Sequence, residues 1–137
     1  MNDAAFVLDA RLKNDTRHVV SLDLCDVLLM NDARFPWLVL VPRQLDRVEI
    51  CDLSADDQAL LWREVNRASQ ALRTTEPFDK LNLGALGNIV RQLHVHVVGR
   101  REGDAAWPGP VWGSGTAVPY GEETLASLLQ ALRRSLA

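Results

Sequence analysis

Histidine and cysteine are scarce in this chain, with three of the first and two of the second in 137 residues. Cys25 and Cys51 lie far apart and form no CxxC pair, so nothing supports a disulfide framework or a cysteine-based zinc site. Two reduced, partly buried thiols are expected instead. There is no basic excess. Fifteen lysines and arginines against eighteen acidic residues leave a formal charge of −3, which argues against duplex nucleic acid as a partner. A small anion needs only a local cluster of donors and stays admissible. No apolar run is long enough to span a bilayer, and MNDAAFVLDARLKND lacks the basic-then-apolar order of a secretory leader. The expected location is therefore cytoplasmic, with no membrane partner. There is no internal repeat, low-complexity tract or linker, so a single domain, 1–137, is expected. Hydrophobic residues make up 47% of the chain, enough to bury a core without disulfides or metal.

The elements follow from period and punctuation. His18 to Leu24 is rich in β-branched residues and reads as a strand, Cys25–Asp26 as a turn, and Val27 to Asn31 as the next strand. Trp37 to Pro42 is an apolar strand bounded by prolines, and these short connections suggest an antiparallel meander. Ser54 is a good helix N-cap, with Asp56 and Asp57 in the first turn. Leu61, Val65, Ala68 and Leu72 then form one apolar face of a helix over 54–74, stopped by Pro77. Phe78 to Leu83 reads as a strand, Gly84 to Gly87 as a bend, and Gln92 to Val98 as an alternating strand. Residues 103–120, rich in proline and glycine, form a loop held by Trp107 and Trp112. Glu122 to Leu136 is an amphipathic helix. Strands in runs with helices between and after them indicate an α+β fold.

Gln92 to Val98 carries the chemistry. Side chains alternate along a strand, so Gln92, His94 and His96 share one face while Leu93, Val95 and Val97 share the other. Imidazole is a nucleophile and a general acid or base near neutral pH, and two of them can divide that labour. Three readings stand at this point: a half-exposed strand that happens to carry two histidines, a catalytic pair, or a zinc site. For zinc, His-x-His supplies only two of the three or four protein ligands usually needed. The surroundings favour a ligand. Asn82, Gly84, Gly87 and Asn88 offer amides and backbone that a ligand can approach closely, Arg100 and Arg101 follow, and AWPGPVWG (106–113) is a stiff loop suited to a wall or a subunit contact.

The heptad Gln92-Leu93-His94-Val95-His96-Val97-Val98 resembles the His-φ-His-φ-His-φ-φ motif of the histidine-triad (HIT) family, with glutamine in place of the first histidine. The order of elements over roughly residues 5 to 115 is also similar. GN-x-V-x-QLHVHVV-x-R followed by AWPGPVWG resembles a bacterial branch, of the diadenosine polyphosphate hydrolase type. The resemblance implies a HIT-like fold with about five antiparallel strands, and cleavage at the α-phosphate of a nucleotidyl compound, either a dinucleoside polyphosphate or a nucleoside phosphoramidate. In it His94 falls on the attacking histidine, which forms a nucleotidyl intermediate, and His96 on the residue that meets the phosphate and the leaving side. Asn82 matches the asparagine of an Asn-x-Gly strand, Asn88 a phosphate-contacting position beside Gly87, and Asn31 a residue that meets the ribose. Leu24, Leu29 and Val39 are candidates for a nucleobase slot. Gln92 cannot be protonated but still donates and accepts hydrogen bonds to a substrate. Ile89 stands where many relatives place a small hydroxyl residue. The scheme implies no cofactor and no metal, a small-molecule nucleotide substrate, and a homodimer in which Trp107 and Trp112 offer apolar area. The alternative is a nucleotide-binding protein with vestigial catalysis.

Overall fold

A computed structural model describes residues 6–137. The first five residues of the expected domain, which also open the stretch read for a leader, lie outside the described residues. The elements run α1 (Ala10–Asp15), β1 (Thr16–Ser21), β2 (Cys25–Met30), β3 (Trp37–Pro42), α2 (Ala55–Thr75), β4 (Lys80–Gly84), β5 (Val95–Arg100) and α3 (Glu122–Leu136), with a 3-10 turn at Ile50–Asp52 before α2. The five strands form one sheet in the order β1-β2-β3-β5-β4, antiparallel at every pairing. This is the expected α+β architecture. The first three strands form the expected meander, but the chain then passes through α2 and lays β4 at the far edge, and β5 fills the space beside β3.

Alternation sorts the side chains onto two faces. Leu38 and Leu40 of β3, with Val95 and Val97 of β5, pack under α2 and α3 against Leu61, Val65, Leu72 and Leu132. Trp37, Val39 and Val41, with Val98, face the other way and join Leu12, Phe35 and Val111 in a second cluster. Every residue of β3 and of β5 is buried, because both faces of the central strands are covered. α2 begins at its cap: Ser54 Oγ accepts from the Asp57 amide.

One link between helix and sheet has no sequence signature. Glu64, on the buried face of α2, accepts from the amides of Leu24 at 2.9 Å and Cys25 at 2.8 Å. These are the amides that the turn between β1 and β2 leaves without a strand partner, so the carboxylate closes the hairpin from the helix side. The turn itself lies at 22–24, and Cys25 opens β2 rather than turning the chain. Cys25 is fully buried, and burial above all pushes its thiol pKa far up, whereas Cys51 is exposed; both are free.

Other boundaries also differ from expectation: β1 is Thr16–Ser21 rather than His18 to Leu24, and β4 is Lys80–Gly84 rather than Phe78 to Leu83, so Gly84 belongs to the strand and not to the bend. The histidine strand starts at Val95, so Gln92, Leu93 and His94 precede it. There the backbone bonds elsewhere: the Leu93 amide donates to the Arg47 carbonyl at 2.8 Å. The short α1 carries a single buried residue, Leu12, so it has no apolar period to read. Among the described residues no helix is long and apolar enough to cross a membrane.

Candidate active site

His96, on the face of β5 that turns away from α2 and α3, and His94, just before the strand, line an open cleft of about 870 Å³. Their rings meet edge to face with centroids 4.9 Å apart. Each residue is only 6% exposed, which removes most water from around the imidazoles. A second depression, of about 410 Å³, lies between α2 and the end of α3 and holds neither histidine.

The hydrogen bonds of the two rings assign their protons. His94 Nδ1 lies 2.6 Å from the carbonyl oxygen of Gln92. A carbonyl only accepts, so Nδ1 holds the proton and the lone pair resides on Nε2. His96 is the reverse. Trp37 Nε1–H donates to His96 Nδ1 over 3.0 Å, and an indole N–H can only donate. The lone pair of His96 is therefore on Nδ1 and its proton on Nε2. Register makes this contact possible: Val39 pairs with His96 and Trp37 with Val98, so the indole reaches His96 along a same-face diagonal. Burial first, and then the neighbouring His94, push the His96 pKa down to about 4, leaving the ring neutral at physiological pH. One imidazole thus offers a lone pair and the other an N–H.

Trp112 closes the site beside His96, its ring centroid 5.5 Å away and edge to face. It can do so because Gly84, which pairs with His96, has no side chain; a Cβ there would lie 2.9 Å from Trp112 Cη2. The loop that carries Trp112 is anchored upstream. Arg100, almost fully buried, donates to both Asp104 oxygens at 2.8 and 2.9 Å, and its remaining nitrogen donates to Asn82 Oδ1 at 3.0 Å. The hydrogen bonds from Arg100, more than any other influence, hold the Asp104 carboxyl far below the usual range despite burial. Trp107 stacks over the Arg100 guanidinium.

The far end of the cleft is built by α1 and the segment after β2. Arg11, Leu12, Asn14 and Asp15 line it, with Met30, Asn31, Asp32 and Arg34. Asn31 Oδ1 accepts from the Tyr120 amide and Asp32 Oδ1 from the Val118 amide, which ties the 114–120 segment to this wall. Arg34 bonds both Asp32 oxygens and the Ser114 carbonyl. Burial raises the Asp32 pKa, but the hydrogen bonds from Arg34 and the Val118 amide outweigh it and the carboxyl sits below its ordinary range.

Of the residues singled out from the sequence, the cleft gathers His94, His96, Asn31, Gly87 and Asn88. Gly87 adopts a φ of +70° at the bend, a conformation that glycine takes without strain. Asn82 does not line the cleft; its carbonyl serves Arg100. Gln92 does not line it either: its amide is bonded to the backbone of Val7 and Asp9. Leu24 and Leu29 lie in the core beneath the helices, and Val39 is sealed in the second cluster. The apolar cleft wall is formed instead by residues such as Leu12, Met30 and Val111. Alternation assigns Leu29 to the wrong face for a ligand, and that signal was present in the sequence; the contribution of α1 was not. Trp112 belongs to the cleft rather than to an outer surface. Among the described residues no group of three or more His, Cys, Asp or Glu gathers as metal ligands would.

Comparison with known proteins agrees with this geometry. The HIT domain family matches residues 11–103. A crystal structure of a histidine triad (HIT) protein from Sinorhizobium meliloti is 47% identical, covers 98% of this chain and 100% of its own, and superposes with a TM-score of 0.95. A histidine triad protein from Bradyrhizobium japonicum is 48% identical over 97% of this chain and 99% of its own, with a TM-score of 0.94. A hypothetical histidine triad nucleotide-binding protein from Sulfolobus tokodaii, 18% identical over 88% of this chain and 83% of its own, shares the fold with a TM-score of 0.67. No curated protein matches the chain.

Proposed function

The chain belongs to the HIT family, whose members are in general nucleotide-binding hydrolases and transferases, and we propose that this one cleaves a nucleotidyl compound at its α-phosphate through a covalent intermediate on His94. The observation that carries the reading is the complementary protonation of the pair, set by Gln92 O on one ring and Trp37 Nε1 on the other. His94 Nε2 supplies the electron pair that forms a bond to phosphorus while the bond from phosphorus to the leaving group breaks. As its ring becomes positively charged, Nδ1 keeps its proton and its hydrogen bond to the Gln92 carbonyl, which stabilises that charge. Water then attacks the same phosphorus and releases the nucleoside monophosphate and free His94. His96 Nε2–H, with Asn88 and the backbone at Gly87, donates to phosphate oxygens as charge develops on them. Asn31 meets the sugar end, and α1 forms the wall beside it.

The leaving group follows from the same contact. A neutral imidazole N–H donates a hydrogen bond but does not give up its proton, and Gln92 has none to give. The site suits a leaving group that departs as a stable anion, such as a nucleoside polyphosphate, better than an amine that must leave protonated. This supports the dinucleoside polyphosphate side of the bacterial resemblance over the phosphoramidate side. No cofactor or metal enters the scheme. Assembly as a cytoplasmic homodimer remains part of the proposal, with Trp107, which keeps an exposed face, as its aromatic contact. Trapping with a labelled dinucleoside polyphosphate tests the reading: label should stay on the quenched protein and map to His94. A binder with vestigial catalysis would hold the nucleotide without acquiring label.

A further inference from the structure

Gln92 stands where the motif has a histidine, yet its side chain turns away from the cleft. Its Oε1 accepts from the Asp9 amide at 2.9 Å and its Nε2 donates to the Val7 carbonyl at 2.9 Å. This is a β-ladder contact in miniature. A primary amide presents an acceptor and a donor side by side, as a peptide group does, and so matches the carbonyl and amide of residues two apart. An imidazole cannot replace it, because its two ring nitrogens point away from each other.

The held segment leads straight into the cleft wall. Asp9 caps α1 by accepting from the Arg11 amide, and Arg11, Leu12, Asn14 and Asp15 follow along the cleft. The other end of α1 is held by the Asn31 amide, which donates to the Asp15 carbonyl at 3.0 Å. The wall is therefore fixed at two points. One is the end of β2. The other is the residue whose own carbonyl bonds the Nδ1 proton of His94.

From this we infer that Gln92 is a positioning residue: its amide clasps the segment at Val7 and Asp9 so that α1 stands as a preformed substrate wall at a fixed distance from His94. The inference rests on the nucleotidyl reading for what the wall binds, but the clasp itself does not. Val7 is largely exposed and makes no apolar anchor, whereas Phe6 and Leu8 pack against the second core cluster. Loss of the clasp thus loosens the segment without opening the core. Its effect falls on substrate binding, through a wall that must then be ordered during binding, more than on the step at phosphorus. The carbonyl that bonds His94 is backbone and survives any substitution at position 92.

Two measurements on the whole chain test this. The first is amide hydrogen exchange without substrate, comparing wild type with Gln92→Ala. Breaking two hydrogen bonds of ordinary net strength should speed exchange at Asp9 and through α1 by roughly five- to thirty-fold, with α2 unaffected. Gln92→Glu is the second variant. It keeps the size of the side chain but sets a carboxylate oxygen against the Val7 carbonyl, and it should release the same amides, so misfolding of the alanine variant leaves the question decidable. The second measurement is steady-state kinetics with diadenosine tetraphosphate. KM should rise by a similar factor, with a smaller loss in kcat. Wild-type exchange at Asp9 in both variants overturns the clasp, and a loss confined to kcat overturns the wall. The exchange result stands even if no nucleotidyl compound is turned over, which separates failure of the clasp from failure of the nucleotidyl reading.

Discussion

Trp37 Nε1–H donates to His96 Nδ1 across 3.0 Å, between two adjacent central strands. The contact holds His96 in the Nε2–H tautomer, and it does so with a group that cannot itself titrate.

Removing that N–H should change His96 in a defined direction. In Trp37→Phe the aromatic volume is largely kept, but Nδ1 becomes free to take a proton. The His96 pKa should rise somewhat above about 4 but stay below its ordinary value, because burial and His94, which hold it down, are unchanged. Nitrogen–proton correlation spectra across pH should show the Nε2–H form alone in wild type and a mixture in the variant. A His96 that titrates identically in both proteins contradicts the tautomer assignment.

The same group makes stability depend on pH. The folded pKa lies below that of the unfolded chain, so unfolding takes up a proton between about pH 6.5 and about pH 4. Stability from this source is intact above pH 6.5, declines as pH falls through that window, and levels off below it. The full loss is about 3 kcal/mol. Urea denaturation at several pH values should show this decline, and His96→Gln should remove it.

Leaving-group preference is the functional counterpart. With no proton donor at His96 or Gln92, turnover of a nucleoside phosphoramidate should lag behind that of a dinucleoside polyphosphate by about 10²-fold or more in kcat/KM, the usual contribution of general acid catalysis. Equal values for the two substrates would show that another group protonates the leaving atom.

Glu64 tests the core. In Glu64→Ala the amides of Leu24 and Cys25 lose their shared acceptor inside a packed cluster. The cost should be about 3 kcal/mol, since each stranded buried donor costs about 1–3 kcal/mol. Chemical denaturation measures it directly. Glu64→Gln, with one carbonyl oxygen left, should fall between the two.

What the sequence showed and what it hid divide along physical lines. β3 and α3 were legible to the residue, and α2 to within one, because prolines, a serine cap and long apolar periods mark them. The face shared by His94 and His96 followed from alternation. The partners of those histidines did not. Trp37 reads as one more apolar strand residue until register places it diagonal to His96. Gln92 reads as a triad member, because nothing local announces a bond to residues more than eighty positions away. Asn82 is misread for the same reason: its partner, Arg100, is set by the pairing of β4 with β5. Periodicity reports which face a side chain takes, and only the assembled sheet reports what meets it there.

Covalent labelling of His94 is the most direct test of the account. Wild type, His94→Ala and His96→Ala, each verified as folded by circular dichroism, should be mixed with a labelled dinucleoside polyphosphate and quenched. Label is expected on His94 in wild type and none in His94→Ala, with turnover in that variant down by several orders of magnitude. His96→Ala should still form the adduct, about 10²–10³-fold more slowly, the usual cost of losing one donor to the developing charge. Turnover at the wild-type rate in His94→Ala would contradict the assignment of His94 as nucleophile.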